Sequence, residues 1–448
     1  MTPNHSLALS LELQRLIRTD LLQQIKHEFP FYLIEQYKGL PGAQKRDRVY
    51  NDENTLLTML TTAVQEDKSL QQSVNVFKKV FESRSEQIQA TELAQLEQAR
   101  LQEQSSTSRT GRPRLYQSKL AKSKTKVVSA NTAAFTKARQ RLPYTLVKQV
   151  FDYSADFSAV GQPLWHGLHC FNTDGTYIQM QDSEQLRKKF YVQEGDKAYP
   201  QALLQSIVAH GSGQVTAFTI GTRHQSELEL LPPLIVQLPN NSLILADDLY
   251  NSYAIFALLQ HQGCHLIVPG KRDRNYQVLE EIAAGDQLVE LRRTSPIPKW
   301  WKEPWTPPTK LVMRRITYCS PIDGTTPCVL YTTLLDGKIP KEDLIVKYTS
   351  RWDIEITIRE IKTIMDINVA RSKSEDMVFK EITISLAAYN IVRKIIAKSV
   401  EQTGFSPQKD IIQEFTATYK NVLIDKKGRV YSRWSPGRYG QAVETNPT

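Results

Sequence analysis

Apolar residues along the 448-residue chain recur at helical spacing at first, and in alternating strand and helix patterns later. In the first 100 residues, apolar positions three to four residues apart predict amphipathic helices over Glu12–Lys26, Glu53–Gln65 and Ser69–Glu82. Ser83–Gln104 is polar and only weakly periodic, which is consistent with an extended helix or with a spacer.

From Leu164 onward, short strand patterns alternate with helical ones. Asp174-Gly175 is a frequent hairpin turn, and a second turn is predicted at Gly211-Ser212-Gly213. In chain order the predicted elements are the strands Leu164–Phe171, Thr176–Met180, Leu203–His210 and Val215–Ile220, a helix beginning at Glu227–Leu231, the strand Ser242–Ala246, the helix Ser252–His261 and the strand His265–Val268. This alternation predicts a mixed α/β sheet.

A β-rich segment, Gly270–Gly337, interrupts the alternation. Its predicted strands are Leu288–Arg293, Leu311–Cys319 and Pro327–Leu334. Two further helices are predicted after it, one carrying Glu355 and one over Glu381–Ser399.

Four polar residues fall on one side of the predicted Glu355 helix: Tyr348, Arg351, Glu355 and Lys362. At about 100° per residue they lie within an arc of about 60° that borders the apolar stripe of the helix. Asp353 and Glu360 fall on the far side, which leaves Glu355 as the acid of the arc. An acid flanked by basic residues suits metal binding beside a phosphate backbone, and ordinary ion pairs along a helix are the alternative.

The composition is basic, with 57 Lys and Arg against 47 Asp and Glu, a net charge of +10 and a pI near 9.2. This balance favours a polyanionic partner such as nucleic acid, although many basic proteins bind none. Ser105–Ser129 contains no acidic residue and predicts a flexible basic linker. In it, Arg112 and Arg114 flank a proline, as in some proteins that enter the minor groove of DNA; a solvated loop is the alternative.

No run of about 18 apolar residues is present, so no membrane-spanning helix is predicted. The first residues lack the basic and apolar regions of a secretion signal. The four cysteines form no CxxC pair and have no zinc-ligand spacing. These observations predict a cytoplasmic protein with reduced thiols.

Two aspartates are candidate partners of Glu355. Asp174 lies in the predicted hairpin turn, where Asp-Gly is common for conformational reasons alone. Asp247 follows the predicted strand Ser242–Ala246, and α/β proteins form ligand sites at the carboxyl ends of sheet strands. A helix N-cap explains Asp247 as well, and Asp248 competes with Asp247 for the role.

The spacing Y-x2-R-x3-E-x6-K resembles the YREK box of DDE transposases from cut-and-paste bacterial insertion sequences (insertion sequence family four). Asn131–Pro143, where Asn131 or Thr132 is predicted to cap a short helix, is also similar to this family. So are the strand end before Asp247, with Tyr250 after it, and the helix containing Ala388–Arg393. The resemblance covers residues 131–395.

The resemblance implies an α/β protein with a ribonuclease H-like catalytic domain, a mixed sheet flanked by helices. A β-rich insertion would interrupt this domain, and an all-helical DNA-binding domain would precede it. The predicted divisions are the N-terminal domain 1–104, a basic linker and short helix 105–145, the first part of the core 146–269, the insertion 270–340, the second part of the core with the Glu helix 341–400, and a tail 401–448 for dimerisation or DNA contact.

Asp174, Asp247 and Glu355 are then the implied catalytic and metal-binding acids, with Mg²⁺ as cofactor and Mn²⁺ as a substitute. Carboxylates suit this chemistry because Mg²⁺ prefers hard oxygen ligands, and two such ions promote phosphodiester hydrolysis. As a hypothesis, Asp174 bridges two ions while Asp247 and Glu355 hold one each.

DNA contacts are predicted around these acids. The basic and aromatic residues of the box would grip phosphates and hold a displaced base: Arg351, Lys362 and Tyr348. Trp300 and Trp301, with Trp305, form a cluster in the β-rich segment that is suited to holding a flipped base. The core of a small domain is the alternative, because tryptophan is highly buried on average.

The predicted function is a transposase that binds the terminal inverted repeats of its insertion sequence and its target DNA. It would pair two ends as a homodimer in a synaptic complex, and catalyse metal-dependent cleavage and strand transfer. A catalytically inactive, transposase-derived DNA-binding protein is the alternative, and a metal-dependent nuclease without strand transfer is a third possibility. The predicted location is the bacterial cytoplasm, in association with the nucleoid, without a membrane partner.

Overall fold

The computed structural model describes residue 25 and residues 27–38, 48–65, 67–78, 81, 128–156, 164–190, 198–270, 274–320, 324–363, 365–403, 422–424 and 430–432. The chain divides into two compact units, Glu28–Lys394 and the combination of Met1–His27 with Ile395–Thr448. In the second unit, Val422–Ile424 pairs antiparallel with Val430–Ser432. Arg112 and Arg114 lie outside the described residues, as do Ser83–Gln104 and most of the predicted helix Glu12–Lys26.

Helices precede the sheet in the larger unit, and two of them begin at asparagine caps. They are α1 (Phe31–Lys38), α2 (Asp52–Ala63), α3 (70–78), α4 (Thr132–Arg141) and α5 (Tyr144–Ser154). Asn51 Oδ1 accepts a hydrogen bond from the Asn54 amide at 2.8 Å, and Asn131 Oδ1 accepts one from the Ala133 amide at 2.8 Å. These bonds satisfy amides that the first helical turn leaves unpaired. The helix predicted after Asn131 is confirmed.

A mixed sheet of ten strands forms the centre of the larger unit. The strands are β1 (His169–Met180), β2 (Gln201–Ala209), β3 (Val215–Thr222), β4 (Ser242–Leu245), β5 (His265–Pro269), β6 (Tyr276–Ala283), β7 (Asp286–Arg292), β8 (Lys310–Cys319), β9 (Pro327–Thr332) and β10 (Val369–Ala370). Their order is β3-β2-β1-β4-β5-β9-β8-β7-β6, with β10 paired to β1. The first three strands are antiparallel neighbours, whereas β1, β4 and β5 run parallel. The predicted mixed α/β sheet is confirmed.

Helices cover both faces of this sheet. They are α6 (Glu184–Lys189), α7 (Glu227–Leu230), α8 (Pro232–Ile235), α9 (Tyr253–His261), α10 (Lys341–Thr349), α11 (Asp353–Thr363) and α12 (Glu375–Thr403). Because side chains alternate along a strand, Phe171 and Ile244 pack in a core with α8 and α9, while Cys170 and Leu243 pack in a second core with Leu344 of α10. None of the helices in the described part of the chain is long and apolar enough to cross a membrane.

β1 is one continuous strand of 12 residues, so the hairpin predicted about Asp174-Gly175 is wrong. Phe171–Gln179 pairs with β2 throughout, and Asp174 lies opposite Ser206. A type I′ turn needs positive φ at both central residues, and neither Asp174 nor Gly175 has one. The apolar residues on either side of Asp174 therefore belong to the same strand.

The β-rich segment extends the sheet that contains β1. β9 pairs with β5, and β8, β7 and β6 follow outward in that order. β6 was absent from the predicted strands because almost all of its residues are exposed and show no alternation of apolar and polar positions. Arg314 of β8 forms a buried ion pair with Asp286 of β7, with Arg314 Nη2 and Asp286 Oδ2 2.5 Å apart. Arg314 also donates to the carbonyl of Ile339 at 2.9 Å, just before α10.

The single helix predicted to carry Tyr348 and Glu355 is interrupted. α10 ends at Thr349, a 3₁₀ turn covers Ser350–Trp352, and α11 begins at Asp353. The hydroxyl groups of Thr349 and Ser350 donate to carbonyls three residues earlier, at 2.6 and 2.5 Å. Such bonds compete with the helical hydrogen-bond pattern, so the helical arc predicted from Tyr348 to Lys362 does not hold across this turn.

Glu360 of α11, placed on the far side of the predicted helix, is buried between α11 and α12. Its Oε2 accepts hydrogen bonds from the Tyr389 hydroxyl at 3.0 Å and from Arg393 Nη1 at 3.3 Å. Arg393 Nε also donates to the carbonyl of Ser212 at 2.6 Å, in the turn between β2 and β3. The helix that carries Glu355 is thus joined to the sheet through α12.

Candidate active site

Asp174 and Asp247 lie side by side on neighbouring parallel strands, Asp174 in the middle of β1 and Asp247 just after the carboxyl end of β4. Asn172 of β1 pairs with Leu245 of β4 in the parallel register, and each aspartate comes two residues after its strand's member of that pair. Since neighbouring strands are about 4.8 Å apart and side chains alternate, the two aspartates leave the same face at the same level. The carboxyl end of β4 is a position at which α/β sheets form ligand sites, and Asp174 lies beside it on the longer strand β1.

One oxygen of Asp247 caps the 3₁₀ turn Asp248–Tyr250, because Oδ1 accepts a hydrogen bond from the Leu249 amide at 2.9 Å. The N-cap role considered for Asp247 is therefore present. Among the described residues, Oδ2 of Asp247 accepts no hydrogen bond, so capping and a role in the site are compatible. The charge of Asp247 acts on Asp174 and on Glu227.

Arg351 connects the box residues with these aspartates. Its Nη2 pairs with Glu355 Oε1 at 3.2 Å, and its charge acts on Asp174. Burial raises the pKa of Tyr348 to about 12, against opposing effects of the nearby Arg351 charge and hydrogen bond, and Asp247 raises it further. α11 also contacts β1. Tyr348, Arg351 and Glu355 therefore belong to the same region as the two aspartates.

Glu227, at the start of α7, also belongs to this region, although no role is predicted for it from the sequence. Its Oε2 accepts a hydrogen bond from the Tyr250 hydroxyl at 2.6 Å. A Cβ atom added to Gly175 would lie 2.4 Å from Glu227 Cδ, so the glutamate side chain occupies the space beside the Asp174-Gly175 peptide. In the sequence, Glu227 is an acid in the first turn of a helix, and such acids are common because they interact favourably with the helix dipole. The sequence pattern therefore does not predict its contacts with Tyr250 and Gly175.

The acids repel one another through space. Burial raises the pKa of Asp174 to about 7, and the charges of Glu227 and Asp247 add to this rise. A hydrogen bond of 2.8 Å from the Gly175 amide to Asp174 Oδ1 and the charge of Arg351 oppose it. Burial also raises the pKa of Glu227, with Asp247 contributing, against hydrogen bonds from Tyr250 and Gly175. Such an arrangement favours binding of a cation.

Lys362 and the tryptophan cluster, which are also predicted to contact DNA, form none of the contacts described above with the acidic residues. Lys362 is half-buried and forms no ion pair within the described part of the chain. Trp300, Trp301 and Trp305 are half-buried and pack against the core that contains α8 and α9. Trp305 stacks on His261 with ring centroids 4.1 Å apart, and Trp301 Nε1 donates to the Trp305 carbonyl at 2.9 Å. A DNA contact through their exposed edges stays a prediction, as does one through Arg112 and Arg114.

The carboxylates of this region do not converge on a single metal-binding position. Within the described residues, no three of the histidine, cysteine, aspartate and glutamate side chains are grouped so that they could hold a metal ion. Glu355, with 44% of its side chain exposed, is paired with Arg351. The acids thus lie in one region of the protein, but in these side-chain positions they do not form a metal-coordination shell.

A mixed sheet with two acids at the same level of adjacent parallel strands, and an arginine beside them, is an arrangement suited to enzymes that act on phosphate esters. Residues 167–391, half of the chain, match the family described as the transposase DDE domain. The chain therefore belongs to the DDE transposases, which cleave DNA and transfer strands and generally use divalent metal ions.

Its relatives are transposases of IS4-type insertion sequences. The chain is 29% identical over 317 residues to "Transposase InsG for insertion sequence element IS4" of Escherichia coli (strain K12), covering 68% of this chain and 69% of that protein. It is 27% identical over 157 residues to InsZ of the same strain, covering 33% of this chain and 52% of that protein.

A solved structure, the cryo-EM piggyBac transposase synaptic complex with hairpin DNA, aligns with 92% of this chain and 80% of that chain. The identity is 11% and the TM-score 0.37. A likeness at this level supports no argument about fold or function.

Proposed function

We propose that Asp174, Asp247 and Glu355 are the catalytic acids with which this transposase cleaves the ends of its insertion sequence and joins them to target DNA. The observation that carries the proposal is the matched position of Asp174 and Asp247, each two residues after the Asn172–Leu245 pair of the parallel strands β1 and β4. Arg351, which pairs with Glu355 and acts on Asp174, supports the inclusion of Glu355. The sheet order, three antiparallel strands followed by parallel β4 and β5, supports a ribonuclease H-like core.

Mg²⁺ is the proposed cofactor, with Mn²⁺ as a substitute. The donor set fits, because carboxylate oxygens are the ligands that Mg²⁺ prefers and the three proposed residues are all carboxylates, Asp174 and Asp247 on the sheet and Glu355 on α11. When bound, a divalent cation supplies positive charge that neutralises the phosphate and favours the deprotonated nucleophile. For Glu355 to join Asp174 and Asp247 around a cation, its carboxylate has to leave Arg351, which is then available for a phosphate oxygen.

The box residues have separate proposed roles on DNA. Arg351 offers a planar set of donors that matches a phosphate group. Tyr348 lies against Arg351 and borders the core, which suits a side chain that stacks or hydrogen-bonds beside a displaced base. Lys362, about two turns beyond Glu355 on α11, contributes a second positive charge.

The remaining assignments follow the family. The helices before the sheet would bind the terminal inverted repeats, the tail would serve dimerisation or DNA contact, and two copies would pair two ends in a synaptic complex. Arg112, Arg114, Trp300 and Trp301 are proposed as further DNA contacts. The net charge of +10 supports a polyanionic partner.

The test is cleavage of DNA that carries the element's ends, with Mg²⁺ or Mn²⁺. We expect Asp174→Ala, Asp247→Ala and Glu355→Ala each to lower the cleavage rate by about a thousandfold or more. Asp248→Ala is the matched control for Asp247, and it should retain near wild-type cleavage. Wild-type rates in Asp174→Ala or Glu355→Ala would refute the assignment.

Other outcomes select among the alternatives. If Asp248→Ala rather than Asp247→Ala abolishes cleavage, Asp248 is the second acid. Specific binding of the end DNA by the wild-type chain without cleavage under either metal would favour the inactive DNA-binding protein. Cleavage that is never followed by joining to target DNA would favour a nuclease.

A further inference from the structure

We propose that Glu227 is a positioning residue of the catalytic site, which acts through Asp174 to strengthen divalent cation binding. The inference deepens the proposed function and rests on it. It assigns a role to an acid that lies outside the YREK box and outside the three catalytic acids.

The first observation is that the protein reserves space for Glu227. Gly175 follows Asp174 directly, and a Cβ atom at Gly175 would lie 2.4 Å from Glu227 Cδ and 2.7 Å from Glu227 Oε1. Distances below 3 Å are too short for such contacts, so any side chain at this position would displace the glutamate. Gly175 has an ordinary strand conformation, and its lack of a side chain is explained by this close approach rather than by backbone geometry.

The second observation is a buried hydrogen-bond chain that ends at Glu227. Gln205 Nε2 donates to Thr173 Oγ1 at 2.9 Å and to the Tyr250 hydroxyl at 2.8 Å. The Tyr250 hydroxyl then donates to Glu227 Oε2 at 2.6 Å. Since an ionised carboxylate only accepts hydrogen bonds, the direction of the whole chain is fixed. Gln205 and Tyr250 are fully buried, so these groups gain no hydrogen bonds from bulk water.

Burial of these polar side chains removes their hydration, and the hydrogen bonds among them offset part of the free energy that this costs. The hydrogen bond from Tyr250 fixes Oε2 of Glu227, and the other carboxylate oxygen, Oε1, lies beside the Asp174-Gly175 peptide. The glutamate is thereby held near Asp174 in spite of the repulsion between their charges.

The third observation is that these charges interact. Glu227 Oε1 lies beside the Asp174-Gly175 peptide, so the negative charge of Glu227 acts on Asp174 at short range. A third negative charge beside two metal-binding aspartates increases the attraction for a divalent cation, and groups that orient the ligands typically change metal affinity 10–100-fold. A purely structural carboxylate would have been better placed beside a lysine or arginine.

The experiment measures Mn²⁺ binding to the full chain by titration calorimetry, without DNA, together with the melting temperature in chelator. Glu227→Gln keeps the size of the side chain and an oxygen that accepts from Tyr250, so it removes the charge alone. We expect it to weaken Mn²⁺ binding about tenfold, while its melting temperature in chelator does not fall. Glu227→Asp, which restores the charge on a shorter side chain, should recover part of the affinity.

Glu229→Gln is the matched control, since Glu229 lies on the same short helix and bonds to Gln225 instead of to the acid group. Tyr250→Phe should weaken Mn²⁺ binding by a smaller factor and also lower the melting temperature, because it leaves one of the two N–H groups of Gln205 Nε2 without an acceptor. Wild-type Mn²⁺ affinity in Glu227→Gln, with binding abolished in Asp174→Asn, would overturn the role of Glu227 alone. Equal Mn²⁺ affinity in the wild type and Asp174→Asn would overturn both this inference and the metal site on which it rests.

Discussion

The carboxyl group of Asp174 carries an electrostatic cost in the folded protein. Its pKa is raised to about 7 by burial and by Glu227 and Asp247, against about 3.9 in an unfolded chain. Between these two values the folded protein holds a proton that the unfolded chain has lost, so stability falls as the pH rises through this window and levels off above it. We expect Asp174→Asn to raise the melting temperature in chelator by about 4 °C at pH 8, and by less at pH 5.

Asp182 provides the control for this experiment. It is exposed on the segment after β1, and its hydrogen bond and ion pair with Arg187 lower its pKa. Asp182→Asn should therefore give no gain in melting temperature at either pH. A lower or unchanged melting temperature for Asp174→Asn at pH 8 would contradict the electrostatic cost assigned to Asp174.

Arg351 acts in the site through both its charge and its shape. We expect Arg351→Ala to slow single-turnover cleavage of end DNA by about 100-fold, as for other removed charge-stabilising donors. Arg351→Lys should recover only a small part, because lysine lacks the planar fork of donors. The melting temperature should change little, since a partly exposed ion pair such as that with Glu355 is worth less than about 1 kcal/mol.

Arg359 is the matched control, because it is an exposed arginine on α11 whose charge acts on Glu360. Arg359→Ala should cleave at close to the wild-type rate. If Arg351→Lys cleaves as fast as the wild type, a point charge suffices and the geometric role of Arg351 is wrong.

The sequence identified the residues of the box but missed Glu227. Tyr348, Arg351 and Glu355 are close in the chain, so their spacing carries information even though a 3₁₀ turn divides the helix. Glu227 acquires its position through Tyr250, 23 residues away, and through the missing side chain of Gly175. No local pattern of apolar and polar residues encodes contacts of that kind.

At the scale of elements, the sequence patterns predict most of the strands in the sheet and most of the helices around it. Two local conformations differ from the prediction. Asp-Gly favours a hairpin turn, and pairing with β2 overrides that preference to give one strand through Asp174. The periodicity around Glu355 is helical on both sides of Ser350, and only the hydrogen bonds of Thr349 and Ser350 reveal the break. Local propensity yields to long-range pairing in the first case and to side-chain hydrogen bonds in the second.

The position of α11 depends on the buried pair of Glu360 and Arg393. Both side chains are nearly inaccessible, with 5% and 9% exposed, so removing one partner leaves the other charge without compensation. We expect Glu360→Met and Arg393→Met each to lower the free energy of unfolding by about 3 kcal/mol. The double variant should cost less than the sum of the two, by at least about 1 kcal/mol.

Urea denaturation of the four proteins of this cycle measures the interaction. The double variant also indicates whether the Glu360–Arg393 pair mainly stabilises the protein or mainly positions α11. If its stability recovers while cleavage stays low, the pair positions the Glu355 helix. Strict additivity of the two single changes would contradict an energetic link between α11 and α12.

At the scale of the whole molecule, the β-rich segment belongs to the same sheet as β1 and β4, the strands that position Asp174 and Asp247. β9 continues the sheet from β5, and the Arg314–Asp286 pair holds the chain that leads into α10 and Tyr348. The sequence predicted strands in this segment without indicating their partners, because the pairing of strands far apart in the chain is not encoded in local alternation. The segment that seemed to interrupt the core therefore supports the elements that carry the box.

The charge of the whole chain, +10, leads to a prediction about DNA affinity. Phosphate contacts release counterions, so the affinity for nonspecific duplex DNA should fall steeply between about 50 mM and about 200 mM salt. If Arg112 and Arg114 contact the backbone, the double alanine variant should lower the slope of log affinity against log salt by about 2. The control is the double alanine variant of Arg292 and Lys310, two basic residues that already pair with Glu290. It should change the slope by less. An unchanged slope in the Arg112 and Arg114 variant, measured by fluorescence anisotropy, would exclude the basic linker from the DNA interface.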